Sequence, residues 1–169
     1  MPSVQGDHID QILSQWSRER PDLDTKALGL VGRLVRTVHL ADAALAEGLR
    51  GHNLQPGWFD LLAALRRTGD PYELNPTQLM RSTMLSSGGM TKRLDRLAEA
   101  GLVERRPDPG DRRGTLVRLT RRGKRIIDNA LETHLANEQD LLCTLTPNQQ
   151  QSLNALLRTL LANLEPPDA

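Results

Sequence analysis

Cysteine, aromatic residues and long apolar runs are scarce in this sequence of 169 residues. The single cysteine, Cys143, excludes an intrachain disulfide framework and any metal site built from several cysteines. No segment approaches the roughly 18 consecutive apolar residues of a membrane span, because Arg158 interrupts the apolar C-terminal run. The N-terminal residues are charged rather than apolar, so we expect no signal peptide, no membrane partner and a cytoplasmic location.

The scarcity of aromatic and β-branched residues argues against a sheet-dominated fold. The chain has four aromatic residues, Trp16, Trp58, Phe59 and Tyr72, and 31 leucines against 6 valines and 4 isoleucines. Leucine favours helices, whereas aromatic and β-branched residues favour strands. The composition therefore predicts a mainly α-helical fold.

Basic and acidic residues almost cancel, with 22 Lys+Arg against 21 Asp+Glu and a formal net charge of +1. They are unevenly distributed along the chain. Residues 81–125 contain 13 basic and 5 acidic residues, a net charge of +8, and the remainder contains 9 basic and 16 acidic residues, a net charge of −7. Local positive charge drives binding to nucleic-acid phosphates, so this segment is the candidate nucleic-acid interface.

Apolar periodicity and terminal signals predict a chain of helices with one short strand-like interruption. Asn75-Pro76-Thr77-Gln78 and Thr146-Pro147-Asn148-Gln149 are both typical of a capped helix start, and Gly101 is placed as a C-terminal glycine. The predicted helices cover residues 7–20, 24–49, 56–68, 76–85, 87–100, 121–145 and 147–164, and the predicted strands cover 102–106 and 115–119. The inward face of the third helix is expected to hold Trp58, Leu61, Leu62 and Leu65.

Residues 75–119 follow the order helix, tight turn, helix and β-hairpin, which is the order of a winged helix-turn-helix. The second helix, capped by a serine, keeps Met90, Leu94 and Leu97 on one face, which can pack on the domain. Its opposite face can enter a DNA major groove, and its predicted contacts are Thr91, Lys92 and Arg96. Such a face alone is more often simply solvated, and its combination with the hairpin is what favours double-stranded DNA as the partner.

Two flanking features supply further predicted DNA contacts. Backbone N–H groups near Ser86 and Ser87, at a helix N-terminus, suit a phosphate group. Arg112 and Arg113 lie in the charged loop 107–114 between the predicted strands, and guanidinium groups are attracted to a narrow minor groove. The helix and the hairpin are therefore expected to hold the same duplex.

Three stretches of this segment resemble the MarR family of winged-helix regulators. They are residues 85–97 (LSSGGMTKRLDRL), 101–106 (GLVERR) and 108–113 (DPGDRR), and the resemblance extends over about residues 8–164. It implies a mainly α winged helix-turn-helix fold with long N- and C-terminal dimerisation helices and a two-stranded β-wing. It also implies one domain over residues 1–169, with dimerisation and ligand-framing helices at 8–50 and 120–164 and a DNA-binding lobe at 56–119.

The same resemblance implies a mode of action. Such a protein is a homodimeric transcription regulator on a pseudo-palindromic operator, a repressor that a small ligand releases, with no cofactor and no enzyme activity. In the wing, Asp111 is expected to hold one arginine by an ion pair, while Arg112 and Arg113 are the candidates to probe the minor groove.

A narrower resemblance is to the urate-responsive, PecS-like subgroup, of which residues 15–24 (QWSRERPDLD) are typical. It implies a ligand site formed by Trp16, Asp60, Arg93 and Arg105. Arginine pairs bidentately with planar anions and tryptophan stacks on flat rings, so urate or another planar aromatic anion is the expected effector. Thr68 stands where urate-binding members often have Asn, which favours a phenolic or antibiotic-like aromatic ligand as the alternative.

Other interpretations stay open at this point. Trp16 also fits a core or interface position, Asp60 a surface acid or ion pair, and Arg105 a phosphate contact. The chain also fits an architectural DNA-binding protein without a ligand, or a redox sensor acting through Cys143, although we expect that cysteine to be a buried small hydrophobic residue. The four histidines, His8, His39, His52 and His134, show no metal-ligand spacing, and no metal is expected.

Overall fold

The computed structural model of the chain describes residues 6–55, 57–83 and 89–165, and at Arg112 it describes the backbone alone. The helices are α1 (His8–Glu19), α2 (Lys26–Gly48), α3 (Trp58–Arg67), α4 (Pro76–Arg81), α5 (Met90–Glu99), α6 (Arg121–Leu142) and α7 (Pro147–Leu164), with a 3₁₀ turn at Arg50–His52. The strands are β1 (Glu73–Leu74), β2 (Val103–Asp108) and β3 (Asp111–Leu119). No described helix is both long and apolar enough to cross a lipid bilayer.

The backbone divides into two compact units, Met1–Leu45 and Ala46–Ala169, and the predicted organisation as one domain stays a prediction. In the first unit, α1 packs against the early part of α2. A Cβ atom at Gly29 would meet Leu13 Cδ1 at 2.9 Å, so a glycine allows this close approach. Arg33 of α2 binds the two carboxylates that begin α1, at 2.7 Å from Asp7 and 2.5 Å from Asp10.

The second unit is built around α3. Its predicted inward residues Trp58, Leu61, Leu62 and Leu65 are all buried, as the periodicity predicts. Side chains from α4, α5, the segment that follows α5, the sheet and α6 complete this core: Leu79, Met90, Leu94, Leu97, Leu102, Val103, Val117, Leu119, Ile127 and Ala130. The core therefore holds one face of α5 and leaves the other face to solvent.

The sheet is antiparallel, with strand order β1-β3-β2. The predicted two-stranded wing is confirmed as β2 and β3. A third strand that was not predicted, β1, pairs with β3 through Glu73 opposite Arg118. A strand of two residues is too short to show an alternating pattern, so periodicity could not predict it. The hairpin is also longer than predicted, since only Pro109 and Gly110 separate β2 from β3.

The two helices before the hairpin differ from the prediction at one end each. The capping box at α4 is confirmed, with Asn75 and Gln78 bonded reciprocally, but the helix ends at Arg81 instead of residue 85. The predicted serine cap of α5 is wrong, because α5 begins at Met90 after Gly89. Gly89 has a φ of 81°, a left-handed conformation that glycine adopts without steric cost, and it takes the N-cap position itself.

The connection between α6 and α7 explains two further differences. The side-chain amide of Gln150 donates to the carbonyls of Leu142 (3.2 Å) and Leu145 (3.1 Å), which closes a turn and ends α6 at Leu142 rather than at 145. Cys143 is the C-cap residue at this turn and is exposed, so the expectation that it is buried is wrong. The capping box of Thr146 and Gln149 at the start of α7 is confirmed.

Candidate nucleic-acid interface

The partition of α5 into an apolar and a polar face is confirmed. Met90, Leu94 and Leu97 are buried in the core, whereas Thr91, Lys92 and Arg96 are exposed. The helix can therefore present its basic face to a duplex without loss of core packing. Two of the predicted phosphate contacts, Ser86 and Ser87, lie outside the described residues.

The C-terminal end of α5 is tied to the start of α6. Gly101 adopts a φ of 66° and follows the helix, as predicted for a C-terminal glycine. The Thr120 hydroxyl donates to the Gly101 carbonyl at 2.8 Å, and Arg122 Nη1 donates to the Ala100 carbonyl at 3.1 Å. A cation at this position also complements the negative end of the helix dipole. The orientation of α5 therefore depends on α6 as well as on the core.

Close backbone packing reinforces this junction. A Cβ atom at Gly123, in the first turn of α6, would fall onto the carbonyl oxygen of Leu102, which follows α5. Because the obstacle is backbone rather than a flexible side chain, a larger residue there must move one of the two segments. Only a glycine lets α6 begin this near to the end of α5.

The tip of the wing is shaped by two short aspartate contacts. Asp108 accepts the backbone N–H of Gly110 at 2.8 Å, and Asp111 accepts the backbone N–H of Arg113 at 2.9 Å. The Asp111 side chain therefore supports the wing by binding the backbone of Arg113. The predicted ion pair of Asp111 with an arginine stays a prediction. The Arg113 side chain is exposed, whereas the Arg112 side chain lies outside the described part of the chain.

An ion pair joins α5 to the wing, and sequence reasoning did not find it. Arg105 Nη2 of β2 lies 2.7 Å from Asp95 Oδ1 of α5. The family resemblance assigns Arg105 to a ligand, and no predicted contact involves Asp95, so the sequence does not suggest a contact between the two. In this conformation one terminal nitrogen of the Arg105 guanidinium is engaged by the carboxylate of Asp95.

The other predicted ligand residues occupy separate elements. Trp16 lies on α1 in the first unit with 44% of its surface exposed, and Asp60 lies, partly buried, in the first turn of α3. Arg93 is a partly buried residue of α5. The Thr68 hydroxyl donates to the Leu65 carbonyl at 2.7 Å, so it caps the end of α3. The set of Trp16, Asp60, Arg93 and Arg105 stays a prediction.

Part of the positive charge of residues 81–125 lies close to acidic side chains of the same unit. Besides Arg105, two wing arginines approach an acidic residue, with Arg106 at 3.9 Å and Arg118 at 4.0 Å from Glu73 Oε2. These contacts depend on the position of β1, so the charge count could not reveal them. The candidate interface is therefore the exposed face of α5 together with the wing tip, with Lys92, Arg96 and Arg113 as its exposed cations.

Comparison with known proteins agrees with this geometry. A family model described as the MarR family matches residues 52–114. The chain is 39% identical over 149 residues to the HTH-type transcriptional regulator PecS of Dickeya dadantii (strain 3937), covering 88% of this chain and 90% of that protein. It is 34% identical over 137 residues to the multiple antibiotic resistance protein MarR of Escherichia coli (strain K12), covering 80% and 91%.

A solved structure gives the same result for the fold. A mutant of E. coli MarR, crystallised as a complex with operator DNA, superposes with a TM-score of 0.70 and 28% identity. The superposition covers 86% of this chain and 97% of that one. The mainly helical fold with a small antiparallel sheet is thus that of a winged-helix regulator.

Proposed function

Because the chain belongs to the MarR family of transcription regulators, we propose that it represses transcription as a homodimer on a pseudo-palindromic DNA operator and is released by a small ligand. The observation that carries the DNA-binding part is the partition of α5, whose buried face fixes the helix and whose exposed face offers Lys92 and Arg96. The exposed Arg113 at the wing tip supplies a second contact on the same unit. Such a protein would act in the cytoplasm, where we expect it from the sequence.

Exposed apolar surface supports the homodimer. Large apolar side chains lie exposed on α2, α6 and α7, among them Leu34, Val35, Val38, Leu135, Leu142, Leu156, Leu160 and Leu164. Soluble monomers rarely expose this much apolar surface on neighbouring turns, and two-fold dimers bury such faces. A two-fold dimer would bring two α5 helices to successive major grooves about 34 Å apart.

Operator recognition is tested by selecting duplexes from a random-sequence pool with the purified protein and measuring their affinity by band shift. We expect enrichment of an inverted repeat and binding at least about a thousandfold tighter than to an unrelated duplex. Equal affinity for both duplexes would favour the ligand-independent architectural protein. Substitution of Lys92 and Arg96 by alanine should remove binding to the selected duplex.

For the effector, we propose urate or another planar aromatic anion at Trp16, Asp60, Arg93 and Arg105. The proposal is supported by the resemblance of residues 15–24 and by the chemistry of these side chains, since guanidinium groups pair with planar anions and indole stacks on flat rings. A phenolic or antibiotic-like ligand is the second candidate. It is favoured by Thr68, which stands where urate-binding members often have Asn, and by the name of the E. coli relative.

The effector is tested by adding urate, and separately a simple phenolic acid, to the preformed protein–operator complex. Release by millimolar urate supports the first candidate, and release by the phenolic acid alone supports the second. Stacking on Trp16 should also quench intrinsic fluorescence, and Trp16→Phe, which retains Trp58, should lose that response. Quenching that persists in Trp16→Phe would contradict the assignment of Trp16.

A further inference from the structure

We propose that Asp95 and Arg105 form a positioning pair, which holds the wing against α5 in the arrangement that DNA binding requires. The inference rests on the proposed DNA-binding function and assigns these two residues a role within it. Neither side chain needs to touch the duplex for this role. It differs from the roles that sequence reasoning suggested for Arg105, a ligand contact or a phosphate contact.

The pair lies at the outer edge of the packing between α5 and β2. Alternate residues of a strand share a face, so Arg105 lies on the same face of β2 as Val103, which is 2% exposed in the core. On α5, Asp95 follows the buried Leu94. The 2.7 Å contact between Asp95 and Arg105 therefore continues the apolar contact between these elements one step toward the wing tip.

The wing beyond this pair has little apolar support. Arg105, Arg106 and Pro107 of β2 are all exposed, whereas Val103 is buried. From residue 105 to the end of β2 at Asp108 the strand extends about 10 Å, at about 3.3 Å per residue. A rotation of the hairpin at Arg105 is therefore amplified at the tip, where Arg113 is exposed. A bond between Arg105 and α5 limits that rotation.

The change in DNA affinity on neutralising Asp95 has opposite signs with and without a positioning role. At about 100° per residue, Asp95 lies only about 60° around α5 from Lys92, so its carboxylate borders the DNA-facing side. If Asp95 had no positioning role, its neutralisation would strengthen DNA binding, because one negative charge near the phosphates would disappear. If it positions the wing, Asp95→Asn weakens binding in spite of that gain.

The experiment measures the affinity of four variants for a fluorescein-labelled duplex, selected by the wild-type protein from a random-sequence pool, at several salt concentrations. The variants are Asp95→Asn, Arg105→Gln, the double variant, and the exchanged pair Asp95→Arg with Arg105→Asp. Since exposed ion pairs are weak, we expect each single variant to bind about two- to fivefold less tightly per half-site. The double variant should be no weaker than either single variant, and the exchanged pair should recover affinity.

The salt dependence separates positioning from direct contact. A lost phosphate contact lowers the slope of log K against log salt by about one per contact, whereas a positioning pair leaves it unchanged. Asp128→Asn is the matched control, because it breaks another partly exposed ion pair of the same unit, Arg66–Asp128 at 2.6 Å. That variant should leave both affinity and slope unchanged.

Three results for the variants of Asp95 and Arg105 would overturn the proposal. They are tighter DNA binding by Asp95→Asn, a reduced slope in Arg105→Gln, and unchanged affinity in both single variants. Equal weakening by Asp128→Asn would also overturn it, since the effect would then be general to ion pairs of this unit. If the wild-type protein binds no duplex even at low salt, the DNA-binding function itself fails, which is a different result from any of these.

Discussion

At the scale of single residues, Arg113 at the wing tip is the clearest candidate for a DNA contact. Arg113 is exposed, and its backbone N–H is fixed by Asp111 at 2.9 Å. Arg105, on strand β2 of the same wing, has the same formal charge but is paired with Asp95. Residues of one type in one short segment therefore have different roles, which the charge count of the sequence could not separate.

We expect Arg113→Ala to weaken operator binding, because a guanidinium near closely spaced phosphates is lost. If it touches a phosphate, the slope of log K against log salt should fall by about one per wing, measured by fluorescence anisotropy. Arg50→Ala is the control, since Arg50 is a highly exposed residue paired with Glu47 and distant in sequence from the wing. Equal losses in the two variants would mean that the effect is one of total charge only.

Gly123→Ala should destabilise the protein by about 2 kcal/mol or more, because the new methyl group meets the backbone carbonyl of Leu102. Urea unfolding followed by circular dichroism measures this difference. Gly51→Ala is the matched control, since a Cβ atom at Gly51 has no neighbour within 4 Å. A Gly123→Ala variant as stable as the control would show that the start of α6 is not tightly packed on the end of α5.

At the scale of elements, the start of α1 is held by charge. Hydrogen bonds from Arg33 lower the pKa of the Asp7 carboxyl below its ordinary value of 3.8. A carboxyl with a lowered native pKa stabilises the folded state above its unfolded pKa, and that contribution disappears as the pH falls through the native pKa. The link between α1 and α2 should therefore weaken below about pH 3.8 and not in the neutral range.

An NMR titration of the Asp7 carboxyl tests this expectation. In the wild-type protein it should titrate below 3.8, and in Arg33→Gln its pKa should rise toward that value, because the hydrogen-bond donor is gone. Arg36→Gln, a change of the same charge on α2, should leave the Asp7 titration as in the wild type. A wild-type pKa at or above 3.8 would contradict the ion pair.

Elements with strong local signals were predictable, and those created by tertiary pairing were not. The capping boxes that begin α4 and α7, and the buried face of α3, follow from residues close together in the sequence. The strand β1 exists because β3 pairs with it, and no pattern within two residues can show that. The start of α5 differs from the prediction because Gly89, in a left-handed conformation, takes the N-cap position that the local preference of serine assigns to a serine.

The residues of the candidate site likewise differ in how far the sequence could predict them. The helix face with Thr91, Lys92 and Arg96 follows from periodicity and was predicted correctly as exposed. The Asp95–Arg105 pair joins residues ten positions apart on different elements, so its detection required the packing of β2 against α5. Ligand residues assigned by resemblance alone have the least support from local physics, and they stay predictions.

At the scale of the whole molecule, the dimer proposal depends on apolar faces of the terminal helices. Leu156 of α7 is 65% exposed in the single chain, and a charged residue there would oppose burial in a dimer. We expect a dimer for the wild-type protein at micromolar concentration and a shift toward monomer for Leu156→Glu, by light scattering. Gln151→Glu, a new charge on the same helix, should stay dimeric. A monomeric wild-type protein would contradict the proposal.

The formal charge of +1 conceals a basic segment of +8 and an acidic remainder of −7. The structure shows that part of the basic segment contacts acidic side chains of the same unit. Arg105 pairs with Asp95, and both Arg106 and Arg118 approach Glu73. The number of phosphates that one subunit contacts should therefore be smaller than the charge count suggests.

Hydroxyl-radical footprinting on a selected duplex tests the central claim most directly, namely that two copies of α5 and its wing read one operator. The account predicts two protected regions related by two-fold symmetry, about 10 base pairs apart between centres. Both regions should disappear together when Lys92 and Arg96 are replaced by alanine. Uniform protection without symmetry, or protection that survives the loss of both side chains, would contradict the account.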